Sequence, residues 1–304
     1  MLHLNIVDET GPLKAVLLGR AESNGPVPKP EEAYDPKSLE HILAGTYPKE
    51  EDLIDQMEGF ADVFLKYGVE VYRPEVIQDC NQIFSRDIAF VIDNKLIKAN
   101  ILPDREEEFE AILHVLDYIL PEHIFYPPEE VHVEGGDVMP WHDHIFVGTY
   151  TGHDYPDYIT ARTNQAGVDY IRQMFPFRTV KSFELKKSII NPRDNALHLD
   201  CCFQPIGMDK GIIHKAGFLV EQEYQWLVDF FGKENLFEIT KEEMFQMNSN
   251  IFSISPEVIV SEQKFTRLNT WLRKHGFTVE EIPYAEVGKL GGLLRCSTLP
   301  LVRE

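Results

Sequence analysis

Along the chain one order of elements keeps returning: strand, strand, helix, strand. Leu13 to Gly19 (LKAVLLG) is apolar enough for a strand buried on both faces. Ala21 to Tyr47 is polar and proline-rich, a long loop of the kind that often covers a site. Helical spacing from Lys49 to Lys66 stops at Gly68, and Val69 to Tyr72 is a short strand. Ile88 to Ile92 and Lys95 to Ala99 form a hairpin around Asp93-Asn94, and a helix is expected from Asp104 to the residue before Pro121. The order then recurs: a strand at Ile145 to Thr149, a helix capped by Thr163 through Ile171, and extended chain at Thr179 to Leu185. Next come paired strands at His198 to Ile206 and Gly211 to His214, and a helix at Glu221 to Phe231. Ile251 to Val260, a helix near Gln263 to Lys274 and a strand at Phe277 to Ile282 complete the series. Such units suit modules closing around an axis better than an open parallel sheet. A doubly wound sheet would place a glycine-rich phosphate turn after its first strand; here that turn reads Gly19-Arg20-Ala21-Glu22, without GxGxxG.

The net charge of −21 argues against nucleic acid or an anionic membrane as partner, because both need a basic footprint. It is compatible with a small cationic substrate. Closed or repeat-built α/β folds reach 304 residues as one unit, so residues 1–304 are expected to form a single catalytic domain. Cys80, Cys201, Cys202 and Cys296 match neither a zinc pattern nor a dense disulfide framework. No apolar run is long enough to span a membrane, so a reduced, cytoplasmic protein is expected. No metal or cofactor is called for, and assembly is left open, a homo-oligomer included.

Four stretches carry the chemistry: Asn81 to Asp87 (NQIFSRD), Glu134 to Asp137 (EGGD), His198 to Asp200 (HLD) and Gly291 to Leu301 (GGLLRCSTLPL). Singly, each reads as structure: a surface pair at Arg86-Asp87, a tight turn at EGGD, His198 and Asp200 satisfying each other on one strand face, a core thiol at Cys296. Together they fit one chemistry. A guanidinium is planar and cationic, so its site wants carboxylates that accept N–H groups in pairs, which Asp87 and Asp200 can supply. Its central carbon is a poor electrophile and needs a thiolate, hence Cys296. One group titrating near neutrality must protonate the leaving amine and then deprotonate the next nucleophile, hence His198, with Glu134 to orient it.

NxxFxRD, EGGD, HLD and GGLLRCSTLPL resemble the guanidine-modifying superfamily of penteins: arginine deiminases, arginine-glycine amidinotransferases, agmatine deiminases and dimethylarginine hydrolases. The resemblance implies a five-fold pseudosymmetric α/β-propeller built from strand-strand-helix-strand modules. It implies attack by Cys296 on the guanidino carbon, a covalent amidino-cysteine, His198 as acid then base with Glu134 as partner, and Asp87 and Asp200 holding the guanidinium. By resemblance to arginine deiminases, Asn81, Arg105, Arg162 and Arg295 would grip the substrate's α-carboxylate, with Asp137 a further substrate-binding candidate. L-arginine is then the simplest substrate. The aspartate of HLD resembles deiminases and amidinotransferases rather than dimethylarginine hydrolases.

There are departures. The chain is too short for the extra helical domain of bacterial arginine deiminases, Thr151 to Thr160 looks like an insertion, and Leu13 to Glu22 looks closer to amidinotransferases. Hydrolysis is the first reading and transfer to an acceptor amine the second. A catalytically silent pentein that only binds is third, since such a scaffold would not need all five of these residues.

Overall fold

The computed structural model describes residues 1–304. Its strands are β1 Leu13–Leu18, β2 Glu70–Tyr72, β3 Ala89–Ile92, β4 Lys95–Lys98, β5 Ile124–Phe125, β6 Val138–Trp141, β7 His144–Thr149 and β8 Thr179–Glu184, then β9 Phe203–Ile206, β10 Lys210–Ile213, β11 Leu236–Glu238, β12 Phe252–Ser255, β13 Val258–Glu262, β14 Thr278–Ile282 and β15 Thr298–Arg303. The longer helices are α1 Pro36–Leu43, α2 Glu50–Lys66, α3 Gln165–Met174, α4 Glu221–Phe231 and α5 Thr266–Lys274. The strands form five three-stranded sheets ordered β3-β4-β5, β6-β7-β8, β9-β10-β11, β12-β13-β14 and β15-β1-β2.

In every sheet the central strand runs antiparallel to the first and parallel to the third. A hairpin makes the first pairing in four sheets. The parallel pairing needs a crossover, which α2, α3, α4 and α5 supply in four modules. The fifth module borrows its first strand from the far end of the chain, pairing Val16 with Pro300 and Leu18 with Thr298. This is the five-fold pseudosymmetric α/β arrangement expected from the recurring elements.

Burial explains why the modules were readable. The leading strands β3, β6 and β9 are buried throughout, whereas β2, β5 and β8 are largely half-buried or exposed. Leading strands are sheet edges, so a residue without an N–H is tolerated there, and Pro140, Pro205 and Pro300 sit in β6, β9 and β15. Pro140 is what hid β6 from the pattern.

The structure corrects several boundaries. The segment from Ala21 to Tyr47 is not all loop: α1 lies within it, capped by Asp35, whose Oδ1 accepts from the Lys37 and Ser38 N–H groups at 2.8 and 3.0 Å. The expected helix from Asp104 breaks into single turns at Pro103–Arg105, Glu107–Glu110 and Leu113–Leu116. There Arg105 and Glu108 turn inward, and two buried charges do not suit the face of a regular surface helix. Asn164, not Thr163, caps α3, its side chain accepting from Gly167 N–H. Ile251 to Val260 divides into β12 and the start of β13, and β9 begins only at Phe203, leaving His198 to Cys202 as a tight turn. No helix is long and apolar enough to cross a membrane.

Candidate active site

The chain segments that lead into the five first strands meet at one place. Asp87 stands two residues ahead of β3, Glu134 four ahead of β6, His198 five ahead of β9, Asn250 two ahead of β12 and Cys296 two ahead of β15. Each module thus sends one polar side chain to the same end of the ring. A cavity of about 430 Å³ opens there, walled by Cys296, His198, Asp87, Asn81, Arg105 and Arg162. The segment containing α1 forms another wall, through Asn24 to Pro28, Glu31 to Asp35, Ser38 and Tyr47. Gly291, at φ +88°, turns the opposite wall against it: a Cβ there would stand 2.9 Å from the Asp35 carboxylate.

His198 Nε2 donates to Glu134 Oε2 at 2.7 Å, and its Nδ1 lies 3.9 Å from Asp87 Oδ1. Gly136 makes this possible, because a Cβ there would stand 2.6 Å from the imidazole. Burial disfavours the charged imidazole, but the Asp87 field and the Glu134 hydrogen bond outweigh it, so the His198 pKa is raised. Burial likewise opposes ionisation of Glu134, yet Arg162 and His198 hold its carboxyl down to about 2. In Asp87 burial prevails over His198 and Arg105, and its pKa is raised. Asp87 Oδ1 is buried with no hydrogen-bond partner. An acceptor left open beside a cavity suits a ligand that brings N–H groups.

Cys296 is held by Asn250, whose Nδ2 donates to Sγ at 3.1 Å and whose Oδ1 accepts from the Cys296 N–H at 3.1 Å. The thiol also points at Asp200 Oδ2, 3.5 Å away. Burial, then the negative charges of Asp200 and Asp87, push the thiol well above its ordinary pKa.

The expected substrate-gripping cations are placed unevenly. Arg105 and Arg162 do line the cavity, but each is paired. Arg105 donates to Glu108 at 2.7 and 3.0 Å and to Asp87 Oδ2 at 3.1 Å. Arg162 donates to both Glu134 oxygens at 3.3 and 3.4 Å, to the Ile159 carbonyl at 2.8 Å and to the Tyr34 carbonyl at 3.0 Å. Asn81 lines the wall, its Oδ1 accepting from Ile83 N–H at 3.1 Å.

Arg295 is corrected: it is fully buried behind Cys296 and off the cavity wall. Its guanidinium donates to Glu9 at 3.0 and 3.1 Å, to Asp200 Oδ2 at 2.9 Å and to the carbonyls of Gly135, Gly136 and Val138. With every nitrogen engaged it has nothing left for a substrate carboxylate. Asp137 is corrected too, being fully buried with Oδ1 accepting from Leu199 N–H at 2.8 Å, so it shapes the HLD turn. Because that turn is not a strand, His198 and Asp200 do not share a face. The histidine meets Glu134 and the aspartate meets Cys296 and Arg295. Asp200 therefore lies one layer behind the wall rather than on it.

Asn250, Glu9 and Glu108 escaped the sequence reading. Asn250 had a signal, since it holds the place ahead of β12 that Cys296 holds ahead of β15. No motif flagged a metal, yet Asp87, Glu134 and His198 offer ligand atoms all within 4.8 Å of one another. Arg105, Arg162 and the imidazole N–H already occupy those carboxylates, which leaves the trio better suited to holding protons than a metal ion.

The family model for eukaryotic N,N-dimethylarginine dimethylhydrolases matches residues 46–303. The chain is 28% identical over 252 residues to the uncharacterized protein YkgA of Bacillus subtilis (strain 168), covering 82% of this chain and 80% of that one. It is 24% identical over 212 residues to arginine deiminase of Limosilactobacillus reuteri (strain DSM 20016), covering 59% of this chain and 48% of the deiminase, so it spans about half that enzyme's length. In fold it is similar to the N-terminal domain of ArgZ, an arginine dihydrolase from the ornithine-ammonia cycle in cyanobacteria, with a TM-score of 0.78 at 16% identity, covering 95% of this chain and 98% of that one. SxtG, an amidinotransferase of the saxitoxin biosynthetic pathway from Microseira wollei, gives a TM-score of 0.73 at 16% identity, covering 99% and 97%.

Five such modules and these relatives place the protein in the guanidino-modifying pentein superfamily. Within it, the chain belongs to the eukaryotic N,N-dimethylarginine dimethylhydrolase family. Asp200, expected to set the chain apart from dimethylarginine hydrolases, lies inside that match.

Proposed function

We propose that residues 1–304 act as one catalytic unit that hydrolyses a guanidino group of L-arginine or a related compound through a covalent amidino-Cys296 intermediate. The observation that carries this is the open acceptor of Asp87 Oδ1, facing His198 in the cavity that Cys296 lines. A guanidinium seated there gives N–H groups to Asp87 and brings positive charge to a thiol that buried carboxylates otherwise keep neutral. As the guanidinium binds, the thiol releases its proton to solvent; the sulfur then bonds to the guanidino carbon, and the carbon–nitrogen bond to the departing amine breaks. His198, charged through Asp87 and Glu134, gives that amine its proton. It then takes a proton from water as the water oxygen attacks the amidino carbon, and the carbon–sulfur bond breaks.

The family's name makes N,N-dimethylarginine a candidate substrate. The open acceptor at Asp87 Oδ1 argues for an end that still carries its N–H groups, because a methyl group there would leave that oxygen unpartnered. Transfer to an amine acceptor is the second reading, favoured by the likeness to SxtG over nearly its full length. The first half-reaction is the same in both readings.

Incubation with L-arginine, with and without glycine, followed by mass spectrometry, tests both. Citrulline alone marks a deiminase, and ornithine with ammonia marks full hydrolysis. Ornithine with guanidinoacetate marks a transferase. N,N-dimethylarginine and agmatine run in parallel test the substrate. Full turnover by Cys296→Ala would defeat the mechanism.

A further inference from the structure

Behind the cavity lies a second group of charges that the mechanism above leaves unused. Glu9 belongs to the segment ahead of β1, outside the residues that the family model matches. Its carboxylate is buried and takes two hydrogen bonds from Arg295. Arg86 Nη1 approaches it at 3.9 Å, and the Arg303 field acts on it as well. The segment is firmly seated. Asp8 Oδ1 accepts from the N–H groups of Thr10 and Gly11 at 2.8 and 2.6 Å, and Thr10 Oγ1 donates to the Gly207 carbonyl at 2.8 Å.

A chain of contacts leads from there to the nucleophile: Glu9 to Arg295, Arg295 to Asp200 Oδ2 at 2.9 Å, and Asp200 Oδ2 to Cys296 Sγ at 3.5 Å. Three guanidiniums (Arg86, Arg295 and Arg303) face the carboxylates of Glu9 and Asp200 in this layer, with Asp8 beside Arg303. The crowding is already felt: burial and like charge bring Arg86 down to about 9 and Arg303 to about 10. Without Glu9, three cations would be left with two anions, and Arg295 with Asp200 alone.

We propose that Glu9 is a positioning residue for the Cys296 chemistry: through Arg295 it fixes Asp200 against the thiol, and it cancels positive charge there, so that the thiol ionises only when a cationic substrate arrives. This rests on reading Cys296 as the nucleophile. Groups facing the thiol are Asp200, Asp87 and Cys201, which raise it, and Lys37 and Tyr284, whose own titrations register it. His198 and Glu134 lie beyond Asp87. Behind Asp200, Glu9 is the carboxylate that takes two hydrogen bonds from Arg295, and its loss leaves cations in excess there.

The test uses the full chain carrying Glu9→Gln, with alkylation of Cys296 by iodoacetamide followed by mass spectrometry across pH, without substrate. Losing one negative charge behind Asp200 should move the alkylation midpoint down by about one pH unit. KM for the guanidino substrate should rise about tenfold, since the extra positive charge repels it, with a smaller change in kcat. Glu9→Asp, which keeps the charge, should restore most of both. A folded Glu9→Gln protein with unchanged midpoint and KM overturns the proposal. If that variant does not fold, Arg303→Met gives the opposite reading: removing one cation should move the midpoint up, and no movement overturns the idea. Full turnover by Cys296→Ala would instead remove the underlying reading, an outcome separable from the alkylation result.

Discussion

Asn250 holds Cys296 at both ends of the residue, donating to its sulfur and accepting from its backbone N–H, each at 3.1 Å. One amide therefore fixes both where the proposed nucleophile sits and how its sulfur points. Asn250→Ala would leave a buried N–H unpartnered, at a cost of about 1–3 kcal/mol in stability. The misplaced sulfur should lower kcat by about a hundredfold. Urea denaturation beside steady-state kinetics separates the two losses. A folded variant with undiminished kcat would show that the amide does not aim the thiol.

The His198–Glu134 pair sets a pH window. His198 is raised above its ordinary 6.5, so its contribution to stability is complete below that value and is lost as pH rises through the elevated folded value. Glu134 is held at about 2, so its contribution is present above the ordinary 4.5 and is lost as pH falls toward 2. Stability should peak between pH 4.5 and 6.5, where both contributions are present in full. The basic fall of kcat/KM should lie above pH 6.5. Glu134→Gln removes a charge that favours the imidazolium, and a pH–rate series should show that fall moving to lower pH. An unmoved limb would mean that another group controls it.

Gly136→Ala would put a methyl carbon 2.6 Å from the His198 ring. The imidazole must shift by roughly an ångström, and such a displacement costs on the order of a hundredfold in rate. Circular dichroism should stay native while kcat collapses. Retained activity would mean that the histidine has room to act from another position.

Arg162 joins Glu134, the partner of His198, to the segment that walls the cavity, reaching Glu134 with one nitrogen and the Tyr34 carbonyl with another. Arg162→Ala breaks a buried ion pair from one side, which should cost about 3–5 kcal/mol. Amide exchange should also speed up around Tyr34 and the start of α1. Hydrogen-exchange mass spectrometry can read this, and exchange confined to the surroundings of Glu134 would deny the link.

The modules were legible because buried strands such as β1 and β3 read as apolar runs, and because crossover helices end at recognisable stops such as Gly68 or Gly276. The site motifs were legible because they concentrate rare polar residues just ahead of those strands. What escaped depended on partners distant in sequence. Arg295, read beside Cys296 alone, looked free to meet a substrate; its true partner Glu9 lies 286 residues away. Asp137, a substrate-binding candidate in the sequence, is instead spent on the Leu199 N–H of the HLD turn, 62 residues away. The helix expected from Asp104 failed because Arg105 and Glu108 answer to Asp87 rather than to helical periodicity.

The strand that completes the ring, β15, begins two residues after Cys296 and pairs with β1 at the start of the chain. During synthesis, then, the reactive thiol and the last sheet contact emerge together, after the other four sheets have been made. A nascent chain halted before this point would lack both Cys296 and the strand that pairs with β1. The proposed nucleophile and the closure of the fifth sheet are thus supplied by one short stretch of chain.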